Sequence, residues 1–178
     1  MVRKFYPLLV AILCVFFLSM IFVSPARSGD AEDILKLKNE IIEKQNKGKL
    51  GAQVFLLCKK VLSYSSYYPL PENKVQRGTS LLLYYEPINW FTSMQQGRYE
   101  FYLTQDVKLE TATGEVLFER EKLLSMHYNT GKPILDIYMT NDFNLGRLPA
   151  GKYRYIVFLH DMISGQEFRK GIDFEIVE

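Results

Sequence analysis

Tyr153-Arg154-Tyr155-Ile156-Val157-Phe158-Leu159-His160-Asp161, a turn at Ser164-Gly165, and the run Phe168 to Ile176 decide the fold. In the second run Phe168, Lys170, Ile172, Phe174 and Ile176 fall on one face, while Arg169, Asp173 and Glu175 fall on the other. That period of two belongs to a half-buried strand, and a Ser-Gly turn between two such runs signals a hairpin. Leu148-Pro149-Ala150-Gly151-Lys152 supplies the turn that leads into it.

The same grammar extends upstream. Gln53 to Tyr64 is a long β-prone run that ends before the break at Pro69 and Pro71. Ser80 to Glu86 is apolar on both faces, as a central strand would be, and Gly97 opens a strand in which Tyr99, Phe101 and Leu103 share a face. Thr111-Ala112-Thr113-Gly114 turns the chain into Glu115 to Glu119, Ser125 to Pro133 reads as a loop, and Leu135, Ile137 and Met139 alternate with Asp136, Tyr138 and Thr140. Strands with short turns and no second helix predict a mainly β fold, an antiparallel sandwich of about seven or eight strands.

One helix precedes them, from Asp30 to Lys47. Asp30 can cap it, Glu32 and Asp33 suit the positive end of its dipole, and Gly48 stops it. Ile34, Leu37, Ile41 and Ile42 make a narrow apolar stripe that leans on the domain edge or bridges it to a membrane. The expected organisation is a signal at 1–28, helix and linker at 29–50, and a β domain at 51–178 that folds without the helix.

The N-terminus reads as an export signal. Arg3 and Lys4 precede the 19-residue uncharged run Phe5 to Val23, and Ser24, Ala26 and Ser28 offer small residues for cleavage after Ala26 or Ser28. The run is also long enough to span a bilayer, so an uncleaved anchor at 5–23 in the inner membrane is the alternative. Either way the domain belongs to the periplasm or cell envelope. Arg3, Lys4 and Arg27 leave with the signal, reducing 22 basic residues to 19 against 20 acidic ones, a net charge of −1 that makes no case for nucleic acid. Cys14 falls in the signal, which leaves Cys58 alone and reads it as a small buried hydrophobe.

The order of motifs resembles an uncharacterised class of exported bacterial proteins with a short N-terminal helix and an immunoglobulin-like β-sandwich. The resemblance covers about 52–178. It is carried by Cys58-Lys59-Lys60-Val61, Leu83-Tyr84-Tyr85-Glu86 with Asn89, Gly97-Arg98-Tyr99, the Leu148 to Tyr153 turn, Asp161 to Gly165, and Asp173 to Ile176. It implies the immunoglobulin-like fold and no particular activity.

Candidate chemistry is sparse. His160 and Asp161 are adjacent on one strand and point to opposite faces, so they cannot act as base and orienter. His127, in the expected loop, forms no recognised metal signature with Glu121, Asp136 or Asp142, and no cofactor or metal is expected. The better lead is aromatic: Tyr85, Asn89, Trp90 and Phe91 surround the break at Pro87, where two large rings in an exposed loop would serve a contact. Tyr64, Tyr67 and Tyr68 form a second group. The expected function is a non-catalytic envelope module for a protein partner or glycan. The alternative is a small hydrolase whose carboxylates converge from different strands.

Overall fold

Backbone polar groups must find partners once buried, and the last hairpin meets that demand along its whole length. The computed structural model describes residues 28–146 and 148–178. In it β9 (Gly151–Asp161) and β10 (Glu167–Val177) pair antiparallel, with Leu159 opposite Phe168, Tyr155 opposite Ile172 and Tyr153 opposite Phe174. Gly165 closes the turn at φ +74°, and the Asp161 carboxylate accepts the amides of Ile163 and Ser164 at 3.0 Å each.

The other elements are α1 (Ser28–Gln45), β1 (Gly51–Ser63), β2 (Ser66–Pro69), β3 (Lys74–Gln76), β4 (Ser80–Ile88) and β5 (Ser93–Gln95). They continue with β6 (Arg98–Thr111), β7 (Val116–Thr130) and β8 (Met139–Asn144). One sheet runs β2-β1-β4-β8; the other runs β3-β10-β9-β6, with β5 beside β9 on one edge of β6 and β7 on its opposite edge. The doubly apolar β4 is interior to its sheet, between β1 and β8, as its pattern requires. Leu57, Leu81, Leu83 and Tyr85 of the first sheet join Phe101, Leu103, Val107, Tyr155, Leu159 and Phe174 of the second in one buried cluster.

Four expectations are corrected. Among the described residues ten strands form rather than seven or eight, and β3 pairs β10 in parallel. His127 belongs to β7, not to a loop, because the long β6 offers partners from Tyr99 to Glu110 and β7 takes all of them but Asp106, where the register shifts. The alternation is present in the sequence: Leu124, Met126 and Tyr128 alternate with Ser125, His127 and Asn129, and Met126 packs against the core while the Tyr128 ring stacks on Phe101. The strand read from Leu135 onward begins only at Met139.

The helix supplies the fourth. The chain divides into units Met1–Leu37 and Lys38–Glu178. In the first, α1 starts at Ser28, Asp30 lies in its first turn, and Ile34 and Leu37 are exposed. In the second, the end of α1 is built into the β domain: Ile42 is 0 % exposed, Asn39 accepts the Tyr99 hydroxyl, and Asn46 exchanges two hydrogen bonds with the backbone of Thr92. The apolar stripe is therefore buried at one residue rather than along its length, and Asp30 lies inside the helix rather than capping it. The expected signal at 1–28, save Ser28, and the alternative anchor at 5–23 lie outside the described residues. Among the described residues no helix is long and apolar enough to cross a membrane.

Candidate functional site

Outward residues of β4 build the floor of the site. Tyr84 and Glu86 alternate with inward Leu83 and Tyr85, yet both are buried, because the β1–β2 turn folds over them. The Ser65 amide donates to the Tyr84 hydroxyl at 2.8 Å, and the rings of Tyr67 and Tyr138 pack on Tyr84 at 4.6 and 5.6 Å between centroids. Tyr84 donates to Glu86 Oε1 at 2.5 Å, and Gln53 Nε2 donates to Glu86 Oε2 at 2.9 Å. Burial alone would raise the Glu86 carboxyl, but hydrogen bonds from Tyr84, Gln53 and Ser65 outweigh it and hold the group below the usual carboxylate range. Burial, then the hydrogen bond to Glu86, pushes the Tyr84 phenol well up.

Beside this floor lies a groove of about 320 Å³. The end of α1 contributes Ile41, Lys44 and Gln45, and β1 contributes Gln53. Tyr64 enters from the β1–β2 turn, Pro87 to Trp90 from the end of β4 and the loop after it, and Leu135 and Asp136 from the stretch before β8. The Tyr64 hydroxyl donates to Asp136 Oδ1 at 3.2 Å. Burial and the neighbouring Asp136 carboxylate raise its phenol.

The four residues nominated from sequence separate here. Asn89 lines the groove in a left-handed conformation, φ +59°, with its Nδ2 donating to the Lys49 carbonyl at 3.0 Å. Trp90 also borders the groove but is only 1 % exposed; its ring packs on Phe101 and its carbonyl accepts Gln45 Nε2 at 3.1 Å. The expected exposed ring is corrected: the Gln45 and Asn46 clamps draw this loop onto the domain. Phe91 is half-buried, its amide donating to Asp161 Oδ2 at 2.6 Å. Tyr85 is 0 % exposed and donates to Gln105 Oε1 between the sheets, so it cannot be a contact residue. Lys44, Gln45 and Gln53 were missed, and Asp136 enters from sequence only as a candidate metal partner of His127. They come from separate parts of the chain and carry no local signal.

The histidines occupy the outer face of the second sheet. His127 Nε2 lies 2.7 Å from Glu100 Oε1, with its ring stacked on Tyr102. His160 bridges two carboxylates, Nε2 to Asp106 at 2.9 Å and Nδ1 to Glu167 at 3.0 Å. Asp106 and Glu167 do converge from different strands, but on an imidazole whose two nitrogens are then both engaged, leaving none to activate a nucleophile. Among the described residues no group of three or more His, Cys, Asp or Glu is placed to hold a metal ion. Cys58 is buried, and burial pushes its thiol up to about 11, away from reactive thiolate.

No family model and no curated protein matches the chain. A solved structure similar to it is the Pseudomonas fluorescens alkylpurine DNA glycosylase AlkC bound to DNA containing an abasic site analog, at 12 % identity and a TM-score of 0.41, with 78 % of this chain and 36 % of that chain covered. The chain spans little more than a third of that protein's length, and a likeness at this TM-score carries no argument.

Proposed function

We propose that the chain is an exported, non-catalytic envelope module with an immunoglobulin-like sandwich, and that the Tyr64–Asn89–Asp136 groove is its contact site for a protein partner or glycan. The strand order supports the fold: β1-β4-β8 opposes β10-β9-β6-β7, and β3 joins β10 in parallel after the chain changes sheets. The observation that carries the function is the groove itself. A partly exposed tyrosine, three amides and a carboxylate converge from five separate segments onto a floor locked by the Tyr84–Glu86–Gln53 hydrogen bonds. Polar groups held rigidly around a concave surface are what a specific contact needs.

Capture from envelope extracts tests the reading, comparing the tagged wild type with Tyr64→Ala. A partner or glycan retained by the first and lost by the second supports it. Equal capture by both sinks it. Intact-mass measurement of the envelope fraction tests export: a chain starting near Arg27 or Gly29 is expected, and a full-length membrane-embedded chain would replace cleavage with anchoring.

A further inference from the structure

We propose that the ligand of this groove is a short neutral saccharide segment, an inference that rests on the groove being a contact site. Hydrogen-bond accounting leads to it. Gln45 Nε2 donates to the Trp90 carbonyl, Gln53 Nε2 to the Glu86 carboxylate, and Asn89 Nδ2 to the Lys49 carbonyl. Each of those partners is an oxygen that can only accept, so each amide must turn its nitrogen to the protein, and the orientation is fixed by chemistry. The amide oxygens of Gln45, Gln53 and Asn89 make no hydrogen bond among the described residues. Asp136 accepts Tyr64 on Oδ1, and Oδ2 is in the same position.

The groove is thus rich in acceptors and asks for a ligand rich in donors. Hydroxyl groups meet that demand without bringing charge. Charge is balanced where the ligand would lie, because Lys44 and Asp136 share the lining, so a strongly charged ligand of either sign meets one unfavourable partner. The Tyr64 ring, 36 % exposed, with Ile41 and Leu135 near it, supplies apolar surface for the C–H face of a sugar ring. A volume of about 320 Å³ lies at the small end of ligand sites and suits a short segment rather than a long chain.

The test titrates the intact protein with cellohexaose, maltohexaose, chitohexaose and mannohexaose, and with spermidine as a cationic probe. The readout is the side-chain amide NMR signals of Gln45, Gln53 and Asn89. Saturable shifts with at least one hexasaccharide are expected, weakened about tenfold or more by Asp136→Ala and by Tyr64→Ala with the melting temperature unchanged. No shift with any of the four sugars overturns the inference. Sugar binding that survives both substitutions also overturns it, as does a response to spermidine alone. If the sugars fail while Tyr64→Ala still abolishes capture of an envelope protein, the contact reading stands without the saccharide. If neither responds to Tyr64→Ala, both fall.

Discussion

Trp90 and Glu86 behave oppositely to what their surroundings in sequence suggest. Trp90 follows a proline break and precedes a polar run, which reads as an exposed loop; it is interior because Gln45 and Asn46, more than forty positions earlier, clamp the loop. No local pattern carries that information. As the chain's single tryptophan it should emit in the blue and resist quenching, and Trp90→Ala should cost about 3–5 kcal/mol in urea unfolding. Its indole N–H has no partner among the described residues, so Trp90→Phe loses only volume and should cost less than half as much. A stability change within about 1 kcal/mol for Trp90→Ala would return the residue to the surface. Glu86 is a buried carboxylate served only by hydrogen bonds, and it titrates below its ordinary value of 4.5. A lowered carboxyl stabilises the fold fully above the ordinary value, and that contribution is lost as pH falls through the folded value. Glu86→Gln should therefore be less stable than wild type at pH 7, by about 1–3 kcal/mol for the mismatched donors it sets against Gln53. Below about pH 4.5 the gap should close. Thermal melts of both proteins from pH 7 to pH 3 measure it, and a gap constant with pH would refute the hydrogen-bonded carboxylate.

At the scale of elements, existence was legible and partnership was not. The acidic first turn, the stripe and Gly48 announce a helix, but it runs Ser28–Gln45 with Asp30 inside its first turn rather than at its cap, and of the stripe Ile42 alone is buried. A stripe reports that a helix can bury a face, not which residues find something to cover. Likewise β9 and β10 are written plainly in period two, whereas only the first residues of β7 read as a strand, and the alternation of Leu124, Met126 and Tyr128, behind the charged run Glu119 to Lys122, reads as a loop. The α1 contacts make the expected autonomy of residues 51–178 open to measurement. A chain starting at 50 loses Ile42 from the core, worth about 2–5 kcal/mol, and orphans both backbone groups of Thr92, about 1–3 kcal/mol more for each left buried. A chain starting at 38 keeps them. Urea unfolding should find the 38–178 chain cooperative, and the 50–178 chain far weaker or unfolded. Equal midpoints would show that the end of α1 contributes nothing to the domain.

Across the whole molecule, the two sheets are joined by a polar chain through an otherwise apolar core. Tyr85 on β4 donates to Gln105 Oε1 on β6 at 2.5 Å, and Gln105 Nε2 donates to Asn141 Oδ1 on β8 at 2.9 Å. All three are buried, so hydrophobic burial alone does not dictate their presence. Alternation places Tyr85 inward, but it cannot say that the hydroxyl meets a glutamine from the opposite sheet. The network fixes how one sheet slides over the other, since apolar side chains tolerate small shifts and a hydrogen bond does not. Gln105→Leu removes the centre: the Asn141 oxygen is left buried without its donor, and the Tyr85 hydroxyl keeps only the weaker sulfur acceptor of Met139, at 2.6 Å. An orphaned group costs about 1–3 kcal/mol and the weakened hydroxyl bond adds less, so the single substitution should cost about 1–4 kcal/mol. Replacing all three together, as Tyr85→Phe, Gln105→Leu and Asn141→Leu, removes the orphan along with the bonds and should restore much of that loss. Urea unfolding of the single and triple variants reads this directly: a triple variant more stable than Gln105→Leu is expected. Costs that simply add would mean the three residues act separately, and that packing alone sets the alignment of the sheets.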